Sequence, residues 1–158
     1  MIVLDGQPAL SAFRIERLNH ALAHDGGRCV LRSAHHVYLV EAEACRDPDL
    51  ARLCEILEAR PESPRKDTLL VVPRTGTISP WSSKATDILR GCGLPVRRVE
   101  RACAFVVEPM PEAGSPAWLA IAAALHDPMT QSVLVERSGL QHLFEMGDVL
   151  PLERIGLE

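Results

Sequence analysis

The sequence predicts an α+β fold in which helices pack on one face of a mostly antiparallel sheet. Segments with strand-like and helix-like apolar patterns alternate along the chain, and proline and glycine separate them. A chain of 158 residues can also bury about two thirds of its unfolded surface, enough for one apolar core.

The elements follow in order. Residues 8–23 carry Leu10, Phe13, Ile15, Leu18 and Leu22 at nearly helical spacing, and Gly26-Gly27 ends this first helix. Residues 29–42 are rich in Val and Leu with partial alternation, a strand. Asp47-Pro48 then starts a second helix marked by Leu50, Leu53, Cys54 and Leu57, and residues 61–67 read as a loop. Residues 68–72 form a short buried strand that Pro73 closes, because proline cannot donate to a ladder. Ser79 fits an N-cap and Pro80 the first helical position of a third helix, with Trp81, Ala85, Ile88 and Leu89 on one face and Gly91 and Gly93 near its end.

Residues 96–107 read as a longer strand and residues 109–114 as a loop. Ser115-Pro116 opens a fourth helix with Trp118, Leu119, Ala122 and Leu125 facing inward, and Pro128 bends or stops it. Residues 132–135 suggest a strand and residues 140–146 a short helix, while residues 149–158 have no clear period. This divides the chain into a compact unit over residues 1–133 and a tail over residues 134–158. Residues 29–57 and 68–125 hold strand and helix in similar proportion, which suggests a pseudo-repeat.

Composition narrows the function classes. With 17 basic and 21 acidic residues the net charge is −4, so no broad positive field exists to hold DNA or RNA. The local cluster Arg97, Arg98 and Arg101 is interrupted by Glu100 and reads as a solvated strand face. Only Ile2, Val3 and Leu4 separate Met1 from Asp5, too short a run for a signal peptide, and no apolar run reaches membrane-spanning length; a soluble cytoplasmic protein is expected. Cys29, Cys45, Cys54, Cys92 and Cys103 make an odd set without a Cys-x-x-Cys pair, which fits reduced thiols better than disulfides or zinc.

The stretch with most chemical content is "PRTGTISP", residues 73–80. Arg74, Gly76, Thr77 and Ser79 lie between a strand end and a helix start, where free backbone N–H groups and the helix dipole favour an anion. It matches neither a Walker A loop nor a G-x-G-x-x-G fingerprint, and the same residues also serve as an ordinary turn and cap. Elsewhere, His20 and His24 lack a third ligand nearby, and His35 and His36 point to opposite strand faces. His126 and Asp127 are sequence neighbours, which do not face each other on a helix. Trp81 and Trp118 stand at helix starts as core or interface anchors.

Several blocks together resemble one family. "PALSAFRIERL" (residues 8–18), "PRTGTISPWSSKATDI" (73–88), "CGL" (92–94), "RVERACAF" (98–105) and "LHDPMTQSV" (125–133) look like the amino-terminal domain of large, single-chain formylglycinamide ribonucleotide amidotransferase, also called phosphoribosylformylglycinamidine synthase. Ala102 departs from a usual glycine, and Gln131 from a common acidic residue.

The resemblance implies the start of an ATP- and glutamine-dependent ligase of purine biosynthesis that converts formylglycinamide ribonucleotide to the amidine. ATP and magnesium would belong to a synthetase domain, and the nucleophilic cysteine to a glutaminase domain, both outside this chain and both its partners in the same polypeptide. It further implies two fused small α/β units, a pseudo-dimer of the split enzyme's small subunit, with residues 134–158 leading toward a linker. No catalytic or metal-ligating residue and no cofactor is assigned to the chain itself, which is expected to be inactive alone. Arg74, Thr77, Ser79, Trp81, Ser82, Ser83, Lys84 and Asp87 are expected to form a docking face toward the synthetase domain. The alternatives are a free-standing binding domain for a phosphorylated small molecule, or self-association through an uncovered apolar face.

Overall fold

A computed structural model of the protein describes residues 1–24, 29–63, 68–134 and 137–145. Six antiparallel strands form one sheet: β1 (Ile2–Pro8), β2 (Val30–Ala42), β3 (Arg60–Pro61), β4 (Thr68–Pro73), β5 (Val96–Glu108) and β6 (Gln131–Leu134), in the spatial order β3-β1-β2-β5-β4-β6. Four helices connect them: α1 (Ala12–His24), α2 (Asp47–Ile56), α3 (Pro80–Gly91) and α4 (Pro116–Leu125). A 3-10 helix, Arg137–Phe144, follows β6.

The long pair β2 and β5 is the spine, running from Val30 opposite Glu108 to Ala42 opposite Val96 with register shifts near both ends. Side chains of a strand alternate between faces. Ala34, Tyr38 and Val40 of β2 therefore join the helix-side core, while Val37 and Leu39 face the other way. On the helix side, Leu53 of α2 and Leu89 of α3 pack on Tyr38, Val40 and Val99. Beside them, Leu22 of α1 and Ile121 of α4 pack on Ala34, Leu69, Val71 and Phe105. The opposite face is covered by Leu140 and Leu143 of the 3-10 helix, set on Val37, Leu39, Leu70, Val72, Ala102 and Ala104. Residues 137–145, within the segment read as a tail, thus pack on the sheet.

Local chemistry accounts for the helix ends near the site. The Ser79 hydroxyl accepts from the Ser82 N–H at 3.0 Å and Pro80 follows at the first turn. Gly93, with φ +80°, takes the left-handed conformation that lets the Leu94 N–H return to the Leu89 carbonyl at 3.2 Å. At the other end of the sheet, the Asn19 amide holds both backbone groups of Leu31, at 2.9 and 2.8 Å. This ties α1 to the point where β2 slips register between Leu31 and Ser33.

Three expectations need correction. Residues 2–8 form strand β1, so the first helix begins at Ala12 instead of Pro8. Pro61, expected in a loop, pairs with Leu4 as part of β3. Ile88 and Leu119, expected inside, are 61% and 56% exposed; Ser82, Thr86 and Leu89 of α3 and Ile121 of α4 are buried instead. Residues 149–158 lie outside the described residues.

Candidate functional site

The site is built where β4 leaves β5. Their last pairing is Val71 opposite Cys103, whereas β4 continues with β6 through Val72 opposite Ser132 and Pro73 opposite Gln131. Pro73 has no N–H to extend the ladder toward β5, and the chain turns away into residues 74–79. Gly76, with φ +79°, supplies the left-handed residue of that turn, which the Thr77 N–H closes onto the Arg74 carbonyl at 3.2 Å.

The polar groups of this turn are largely satisfied within the protein. The Thr77 hydroxyl donates to the Arg74 carbonyl at 2.6 Å. The Ser79 hydroxyl, besides capping α3, donates to Glu100 Oε2 at 2.8 Å. Glu100 is fully buried, and its Oε1 accepts from Arg98 Nη2 at 2.7 Å and from the Ser79 N–H at 3.3 Å. The Arg98 guanidinium in turn lies 5.3 Å from the centre of the Phe144 ring. An internal carboxylate therefore stands at the N-terminus of α3, where an anionic ligand had been one expectation.

The eight residues predicted as a docking face separate into two sets. Arg74, Thr77, Ser83, Lys84 and Asp87 are exposed. Lys84 and Asp87 make no ion pair with any described residue. Ser79 and Trp81 are half-buried and serve the interior. Ser82 is fully buried, so it does not belong to an exposed face.

Trp81 stacks on Tyr38 with ring centres 5.8 Å apart and 22° between planes, and Arg101 lies over the same indole at 4.8 Å. Tyr38 and Arg101 are directly opposite across β2 and β5, as are His36 and Cys103 one pleat further on. His36, Trp81, Arg101 and Cys103 line a cleft of about 410 Å³ together with Val71, Pro73, Ser79, Pro80, Thr130 and Gln131. Burial, and then the Arg101 charge, holds His36 below its ordinary pKa of 6.5, so the imidazole is neutral at pH 7. Burial pushes the Cys103 thiol up to about 12.

Sequence reasoning missed this group. Arg101 had been read with Arg97 and Arg98 as a solvated face, yet Arg98 reaches the buried Glu100 and Arg101 the Trp81 indole. Strand alternation would have parted Arg98 from Arg101; nothing in the sequence named Trp81 as the partner. His35 and His36 do face opposite ways, His35 toward Asp5 at 3.8 Å and His36 into the cleft.

The sequence of residues 35–144 matches a family described as formylglycinamide ribonucleotide amidotransferase N-terminal. The chain belongs to this family. The match spans the whole cleft, from His36 on β2 to the 3-10 helix. Formylglycinamide ribonucleotide amidotransferase is an enzyme of purine biosynthesis, and the resemblance drawn from the sequence blocks is thereby established at the level of the N-terminal domain. No helix among the described residues is long and apolar enough to cross a membrane.

Proposed function

We propose that the chain is a non-catalytic assembly domain of an ATP- and glutamine-dependent formylglycinamide ribonucleotide amidotransferase, docking on the synthetase domain through the outer face of α3 and the loop before it. The observation that carries this is the character of that face. Lys84 and Asp87 are charged and make no ion pair with any described residue, and Ile88 on α3 and Ile78 in the loop are 61% and 55% exposed. Exposed isoleucines set among unpaired charges and the serine Ser83 have the make-up of an interface, an apolar centre with a polar rim. Arg74 and Thr77 extend the rim.

The residues present do not fit a nucleotide's phosphates. The Ser79 and Thr77 hydroxyls already donate within the protein, and the Glu100 carboxylate already accepts the Ser79 N–H at the start of α3, where a phosphate would need it. ATP, magnesium and glutamine hydrolysis therefore belong in this proposal to the partner domains of the same enzyme. The same carboxylate counts against the alternative of a free-standing phosphate sensor.

The test is a pair of rates in the enzyme that carries this domain. With Lys84→Glu and Ile88→Asp, amidation driven by glutamine is expected to fall several-fold more than amidation driven by free ammonia. Unchanged rates with both nitrogen sources would remove the docking role.

A further inference from the structure

The cleft beside Trp81 has features that the docking face does not explain. Arg101 lines it as an exposed residue without an ion pair to any described residue. Its guanidinium carbon lies over the indole, 4.8 Å from the ring centre, and the residue lines the cleft. Below it, His36 Nδ1 is buried and has no hydrogen-bond partner among the described residues. We propose that this cleft is a binding site for a carboxylate, held by Arg101 across its N–H fork and completed by His36.

A carboxylate fits better than a phosphate for two reasons. Arg101 is the only cation among the lining residues, matching one negative charge. The two hydroxyls of the lining are already engaged, Ser79 with Glu100 and Thr130 with Asp127 at 3.1 Å. The planar fork of arginine can pair two N–H groups with two oxygens of either anion, so the choice rests on charge and on the engaged hydroxyls. A volume of about 410 Å³ admits an acidic side chain or a small dicarboxylate. Both sources present the same chemistry. The site is separate from the outer face of α3, and the proposal stands or falls independently of docking there.

The experiment is an NMR titration of the 158-residue chain, following the His36 ring and the Trp81 indole N–H, with glutarate, with a blocked peptide containing one Glu, and with its Gln counterpart. Sodium chloride at equal ionic strength is the control. Saturable shifts with glutarate are expected, together with a rise in the His36 pKa, since a bound anion opposes the effect of Arg101. Arg101→Met keeps an unbranched stem against Trp81 and is expected to weaken binding at least about tenfold with an unchanged melting temperature. His36→Gln, which retains a donor, is expected to weaken it less.

Binding of both glutarate and the Glu peptide, but not the Gln peptide, assigns the site to a carboxylate borne by protein. Binding of glutarate alone assigns it to a free small molecule. Equal shifts with chloride, or equal affinity in Arg101→Met, would overturn the proposal.

Discussion

The hydroxyl of Ser79 lies 2.8 Å from Oε2 of the fully buried Glu100, and through this bond the start of α3 is fastened to the central strand β5. One serine thus caps a helix and satisfies a buried charge, with Arg98 neutralising that charge from the other side.

Removing either partner should be measurable in equilibrium unfolding. Ser79→Ala loses the cap and one donor to Glu100 and is expected to cost about 1–2 kcal/mol. Glu100→Ala strands the largely buried Arg98 and is expected to cost about 3–5 kcal/mol. If Glu100→Ala proved milder than Ser79→Ala, the pairing would not be what holds this corner.

The 3-10 helix is part of the core. Leu140 and Leu143 are each 2% exposed, so Leu140→Ala should destabilise the chain by about 2–5 kcal/mol through the cavity it leaves. An unaffected melting temperature would show that residues 137–144 do not cover the sheet in solution.

Thiol reactivity should rank by environment. Cys103 is held as the neutral thiol, pushed up to about 12 by burial, whereas Cys92 is exposed. Brief treatment with iodoacetamide near pH 8 is expected to label Cys92 in the folded chain and to leave Cys103 unmodified until denaturant is added. Mass spectrometry of the peptides reads the order directly.

His36 makes stability depend on pH in a definite direction. Its folded pKa lies below 6.5, so below about that pH the unfolded chain binds the proton more readily. The contribution is fully present above pH 6.5 and is lost as pH falls toward the folded value. His36→Gln should therefore flatten the decline in melting temperature between about pH 7 and pH 5. Arg101→Met, which removes the second cause of the shift, should flatten it partly.

Much of the fold was legible because its punctuation is local. Ser79-Pro80 and Ser115-Pro116 each place a cap and a helical proline together, and β2, β4 and β5 are long or strongly apolar. Strand β1 was not legible: only Ile2, Val3 and Leu4 lie between Met1 and Asp5, and what makes the segment a strand is its pairing with distant residues on β2, Ile2 with Val40 at one end and Pro8 with His35 at the other. Ile88 and Leu119 misled because apolar residues at helical spacing look inward, while the inward arc of α3 is lined instead by the small polar side chains of Ser82 and Thr86. Thr86 earns its buried place by accepting from the Val99 N–H at 3.1 Å.

The candidate site divides in the same way. The loop at Arg74, Thr77 and Ser79 stood out through its turn and cap residues, all read over a few positions. The Trp81–Arg101 contact joins residues twenty apart whose meeting depends on β4 parting from β5 at Pro73. Sequence spacing carries no trace of that fork.

The most direct measurement of the docking account is calorimetric titration of the purified chain into the synthetase domain of the same enzyme. Saturable one-to-one binding is predicted, weakened at least about tenfold by the pair Lys84→Glu and Ile88→Asp while the melting temperature of the chain stays the same. Absence of binding, equal affinity with that pair, or glutamine or ATP turnover by the purified chain alone would contradict it.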